Sequence, residues 1–130
     1  MPVIPSLQAM LLVDAFSKDE KTGKTNLTGI FDDISIERPA HEFTAPAWVY
    51  LSLTDLLGTV AFIIRWIDLS SGEVLREYGP AVLRSEDRLA TLEVTVRLPA
   101  LPVPRSGSYA MELYSFDERI GSVRVTATVA

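Results

Sequence analysis

Alternation with a period of two constrains this chain more than any other feature. In Ala90-Thr-Leu92-Glu-Val94-Thr-Val96-Arg-Leu98, every second residue is apolar and those between are polar. Successive side chains of an extended strand point to opposite faces. The pattern therefore describes a strand with one face in a core and the other in water. Val49/Leu51/Leu53, Phe62/Ile64/Trp66, Tyr109/Met111/Leu113 and Val123/Val125 alternate in the same way. No stretch carries an apolar stripe at helical spacing. Strands are predicted near 6–16, 25–37, 46–53, 60–69, 73–83, 89–98, 107–115 and 120–129. Turn-forming residues separate them: Lys21-Thr-Gly-Lys24, Asp55-Leu-Leu-Gly58, Ser70-Ser-Gly72 and Ser115-Phe-Asp-Glu118 each read as the tip of a hairpin.

Two proline-rich segments interrupt the alternation, Arg38-Pro39 through Pro46 and Pro99-Ala-Leu-Pro102-Val-Pro104. Proline withholds a ladder donor, so both read as extended connections that carry the chain from one sheet to another. The fold expected is all-β: an antiparallel two-sheet β-sandwich, immunoglobulin-like or Greek-key-like, with about eight strands. Gly107-Ser108-Tyr109 fits the tyrosine that anchors a late strand in such sandwiches.

The 130 residues suit a single domain, 1–130. A chain of this length buries enough surface to fold without cross-links or metal. The absence of cysteine removes disulfides, thiolate metal sites and cysteine nucleophiles together. A net charge of −5 argues against a nucleic-acid surface, which needs a basic stripe. The only lysines, Lys18, Lys21 and Lys24, share one loop with Asp19 and Glu20. The opening Met1-Pro-Val-Ile-Pro-Ser lacks a basic region and an apolar leader core. Leu11-Leu12-Val13, followed by Asp14, is too short to cross a bilayer. The expectation is a cytoplasmic protein that binds neither nucleic acid nor membrane.

Lys21-Thr-Gly-Lys-Thr-Asn-Leu-Thr28 holds two motif fragments. A phosphate loop needs Gly-x-x-x-x-Gly-Lys-Ser/Thr ahead of a helix. Here Lys18 occupies the first glycine position and Thr25 opens a strand, so Gly23 reads as a turn residue. Asn26-Leu27-Thr28 is a glycosylation sequon only in a secreted chain. His41 is the sole histidine, with no second histidine for a zinc pattern and no serine in a nucleophile-elbow context. A hydrolase built on His41 would need a hydroxyl and a carboxylate in reach of its ring. Asp32 and Asp33 are adjacent on a predicted strand and point apart, although Asp14 on the neighbouring strand could approach one of them. Calcium would need several oxygen ligands converging from loops. No catalytic set, cofactor or metal is expected.

Several stretches in order form a recognisable series. Gly23-Lys24 runs into Leu27-Thr-Gly29-Ile-Phe31-Asp-Asp-Ile34, then Trp48-Val-Tyr-Leu-Ser-Leu53 and Arg65-Trp-Ile-Asp68. Pro104-Arg-Ser-Gly107-Ser-Tyr109-Ala-Met-Glu-Leu113-Tyr114 and Ile120-Gly121 follow. Over residues 9–129 the chain resembles a family of small bacterial β-sandwich domains of unknown function. Ser106-Gly107 stands where relatives often have Pro-Gly, and Phe116-Asp117-Glu118 where they often have Asp-Gly. The resemblance implies the fold and supplies no activity or catalytic residue.

If Val49, Leu51 and Leu53 face the core, Trp48, Tyr50 and Ser52 face outward. If Phe62, Ile64 and Trp66 face inward, Ile63, Arg65 and Ile67 face outward. Trp48, Tyr50, Ile63, Arg65 and Ile67 would then share one outer sheet face. Tryptophan, tyrosine and arginine are enriched where proteins bind, and an apolar patch of this kind is rarely left bare. The functional expectation is a non-enzymatic interaction or structural module whose partner is protein, most simply a second copy in a homodimer. A covering N-terminal segment would remove that face from solvent. The alternative is a small-ligand sandwich that holds carbohydrate or calcium with loops at one end. Simple strand alternation gathers 17–24, 54–59, 84–88 and 115–119 at that end, and 38–45, 70–72 and 99–106 at the other.

Overall fold

The computed structural model describes residues 3–37 and 41–130. Arg38, Pro39 and Ala40, within the first proline-rich segment, lie outside the described residues. Eleven strands follow in order: β1 (Ser6–Lys18), β2 (Thr25–Phe31), β3 (Asp33–Ile36), β4 (Glu42–Phe43), β5 (Trp48–Thr54), β6 (Gly58–Asp68), β7 (Glu73–Ser85), β8 (Leu92–Arg97), β9 (Leu101–Pro102), β10 (Gly107–Ser115) and β11 (Glu118–Val129). They form a four-stranded sheet, β2-β1-β5-β8, a five-stranded sheet, β3-β11-β10-β6-β7, and a two-stranded sheet, β4-β9. The all-β expectation holds, whereas eight strands in two sheets become eleven in three.

The differences have local causes. The predicted strand 25–37 is broken at Asp32 and changes sheets there: β2 pairs with β1, and β3 lies parallel to β11. The fold is therefore not wholly antiparallel. Asp55–Gly58 is a corner between sheets rather than a hairpin tip, since β5 pairs with β1 and β8 while β6 pairs with β10 and β7. Left-handed backbone at Asp55 (φ 58°) and Gly58 (φ 76°) turns the chain, and Leu56 between them is driven into the core. The other three turns do close hairpins, β1–β2, β6–β7 and β10–β11. Each proline-rich segment contributes one strand of the small β4–β9 sheet while passing between the larger sheets. β1 and β5 are antiparallel, with Ser6 opposite Thr54 and Val13 opposite Trp48. The 19–24 turn and the 55–58 corner thus sit at opposite ends, contrary to the simple alternation of connections.

The core forms between the two larger sheets, where the alternating residues meet as predicted. Leu12, Val49, Leu51 and Leu53 face Phe62, Trp66, Met111, Leu113 and Val125 in one cluster. Trp66 is fully buried, stacks on Tyr109 at 5.2 Å between ring centroids, and donates its indole N–H to Pro102 O at 2.8 Å. The Tyr109 hydroxyl donates to Arg105 O, four residues upstream, at 2.6 Å. That bond ties the second proline-rich segment to the start of β10.

Candidate functional site

The five residues expected on one face are divided between two sheets. Trp48 and Tyr50 lie on β5 in the four-stranded sheet; Ile63, Arg65 and Ile67 lie on β6 in the five-stranded sheet. The corner at Asp55–Gly58 is the reason, because it sends consecutive strands to different layers.

The β5 half is covered. In a flat sheet β2 and β8 would stand about 14 Å apart, three strand spacings. Instead Thr25 Oγ1 on β2 donates to Glu93 Oε1 on β8 at 3.0 Å. The far half of the β1–β2 hairpin therefore curls over the outer face of its own sheet. There the Phe16 ring meets Trp48 edge-on at 5.0 Å. The Tyr50 hydroxyl donates to the other oxygen of Glu93. These donors, Tyr50 foremost, hold the Glu93 carboxyl below its ordinary pKa, and burial together with Glu93 raises that of Tyr50. The notch left under the hairpin, beside Lys18, Tyr50 and Thr95, holds about 110 Å³. Ligand pockets usually hold about 300 Å³ or more.

The β6 half is a charged, internally paired surface. Arg65 Nε lies 3.1 Å from Glu77, and its guanidinium sits 4.2 Å above the Tyr114 ring. Glu112, opposite Arg65, is buried and accepts from the Tyr114 hydroxyl at 2.6 Å and Arg119 at 2.8 Å. That bond to Glu112 is the main reason the Tyr114 pKa is raised. Ile67 is 9% exposed. Ile63 and Arg65 border a shallow cleft with Phe116 at its rim.

The residues considered for chemistry do not assemble. His41 is exposed, at a left-handed φ of 51°, with its carbonyl accepting from Val103 N–H. Asp32 and Asp33 are exposed, and Asp14 packs on Gly29 rather than beside either. Among the described residues no group of three or more His, Cys, Asp or Glu could hold a metal. No helix there is long and apolar enough to cross a membrane. At the other end, Asp68 is buried and accepts from Ser70 N–H, the Ser70 hydroxyl and Arg105. These bonds, the Ser70 hydroxyl first, lower its pKa and fasten the 69–72 turn to the 104–107 loop.

Alternation did not single out the side of the molecule between β7 and β8. Both are edge strands, one of each larger sheet. Between them lies an apolar slot of about 100 Å³, lined by Phe62, Ile64, Tyr78, Leu83, Val94 and Val96 among others. Of these, Ile64, Tyr78, Leu83, Val94 and Val96 stay half-exposed, since β7 and β8 are not paired and meet only beyond the end of β8, where the Tyr78 hydroxyl and Arg76 donate to Ala100 O. On the opposite side β1 packs on β11, with Leu7 over Gly121, and a groove of about 410 Å³ opens farther along between Met10–Leu12, Ile30–Asp32 and Ser122–Arg124.

Residues 8–128 match the family described as "Family of unknown function (DUF6941)", and the chain belongs to that family. No curated protein matches the chain.

Proposed function

We propose that this member of the DUF6941 family is a protein-interaction module without chemistry of its own, working in the cytoplasm and associating with a second copy of itself. The observation that carries the reading is the open side between β7 and β8. There, two unpaired strand edges flank an apolar slot whose walls are half in water. Free ladder groups and exposed apolar side chains on one surface favour strand addition by another chain. The aromatic residues first considered serve other ends in this reading. Trp48 and Tyr50 anchor the curled hairpin, and Arg65 belongs to a paired surface network. The two larger sheets are read as an immunoglobulin-like sandwich, supported by the Tyr109–Arg105 bond and the buried Trp66.

Sedimentation of the purified chain across a dilution series tests the proposal. The expected mass falls on dilution from twice the chain mass toward 14.3 kDa. Arg65→Glu combined with Phe116→Gly, on the outer face of the five-stranded sheet, leaves the curve in place. A chain that stays at 14.3 kDa at the highest soluble concentration overturns the reading.

A further inference from the structure

We infer that two copies join along β8, antiparallel about a two-fold axis through Thr95, so that their four-stranded sheets run on as one. The inference rests on the self-association proposed above and adds the strand, the register and the charges that select it.

The polarity of the edge comes first. β8 pairs with β5 from Leu53 opposite Leu92 to Trp48 opposite Arg97, without a bulge. Leu98 N–H continues the ladder onto Ala47 O at 2.9 Å. Residues of an antiparallel strand alternate in the neighbour to which they direct N–H and C=O. Leu92, Val94, Val96 and Leu98 therefore bond toward β5, and Glu93, Thr95 and Arg97 present their backbone groups to the free edge. β7 blunts its own edge with Pro80 and two register shifts against β6. β8 has no proline and no inward-facing charge, so of the two edges that flank the slot it is the one competent to pair.

The register follows from the residues themselves. Read outward from Thr95 in both directions, Leu92-Glu-Val-Thr-Val-Arg-Leu98 gives valine, then a charge, then leucine, with opposite charges on the two sides. A two-fold axis at Thr95 sets Thr95 against Thr95, Val94 against Val96, Glu93 against Arg97 and Leu92 against Leu98. It forms about six backbone hydrogen bonds and two cross-strand ion pairs. Centring on Glu93 or Arg97 opposes like charges, and centring on Val94 or Val96 leaves both charges opposite neutral residues. Arg97 is exposed and has no carboxylate within ion-pair distance among the described residues. The Glu93 carboxylate accepts from Tyr50 and Thr25 and keeps lone-pair sites for a further donor. On the inner face, Val94 and Val96 of each copy extend the apolar slot of the other. Leu89, 87% exposed in the turn before β8, is carried toward the partner's groove beside Arg97, Leu98 and Ala100.

Thr95→Pro removes the N–H at the axis, which bonds nothing toward β5, so the chain folds as before. Its expected sedimentation is that of the single chain, with an unchanged circular dichroism spectrum. Arg97→Glu, which opposes two carboxylates at each pair, weakens dimerisation by about a hundredfold or more. Glu93→Arg does the same alone. An equimolar mixture of the Arg97→Glu and Glu93→Arg chains restores the dimer, because every pair is again of opposite sign. A wild-type dimer that survives both Thr95→Pro and Arg97→Glu overturns this register and leaves self-association standing. A mixture that fails to dimerise, while each variant is folded, also overturns it. A monomeric wild type overturns the broader reading as well.

Discussion

Gly29 and Asp14 face each other across β1 and β2, between the Val13–Ile30 and Ala15–Thr28 pairs. Gly29 has a φ of +68°, and a Cβ there would lie 2.2 Å from Asp14 Oδ2 and 2.9 Å from Asp14 Cβ. Backbone and space both demand glycine. Gly29→Ala is expected to cost about 2 kcal/mol in urea unfolding. The lone glycine inside an alternating run is the sequence signal for such close approach, but the residue that fills the space was not legible. The sequence left open an approach of Asp14 to Asp32 or Asp33, and the register places it opposite Gly29 instead. Asp68 belongs to the same scale. Its folded pKa is lowered, so its bonds stabilise the fold above the unfolded pKa of about 3.9 and are lost as pH falls through the lower folded value. Glu93 behaves likewise from its own unfolded value. In that acidic window the unfolded chain binds more protons, so stability rises with pH. Asp68→Asn is expected to flatten this slope in a pH series of melting curves. An unchanged slope would mean that Asp68 does not carry it.

Among the elements, the β10–β11 hairpin turns on Phe116 (φ 52°) and Asp117 (φ 61°), two left-handed residues without a glycine. Tight hairpins favour that geometry, yet a bulky side chain in it is strained by about 1–2 kcal/mol. Phe116→Gly is expected to raise the unfolding midpoint, since the ring is 47% exposed and little packing is lost. A fall in the midpoint would show that the ring's contacts with its cleft outweigh the strain. Phe116-Asp117-Glu118 was legible as a departure from Asp-Gly and as a turn, but its backbone conformation was not. The same limit applies to the strands. Alternation depends on neighbours two residues away and was readable along β5, β6, β8, β10 and β11, but not along β1 and β7. Pairing depends on corners, and Asp55-Leu-Leu-Gly58 has the composition of a hairpin tip. Its true role rests on Leu56 turning into the core, which a string of turn-forming residues does not reveal. Because that corner was misread, residues on two layers were assigned to one face.

At the scale of the whole molecule, β1 packs against β11 on one side, and the other side carries the edges of β7 and β8. Legibility was weakest here, because an edge strand and a central strand with one solvated face share the same alternation. The half-exposure of Val94 and Val96 marks the difference, and it appears only once the sheets are assembled. Self-association along β8 is the central claim. Residue-resolved amide hydrogen exchange at increasing protein concentration tests it most directly. The amides of Val94 and Val96, bonded toward β5, are expected to be protected at every concentration. Those of Glu93, Thr95 and Arg97 are expected to exchange freely when dilute and to gain protection in step with the dimer. If these three amides still exchange freely where sedimentation shows a dimer, the copies meet elsewhere and the claim fails.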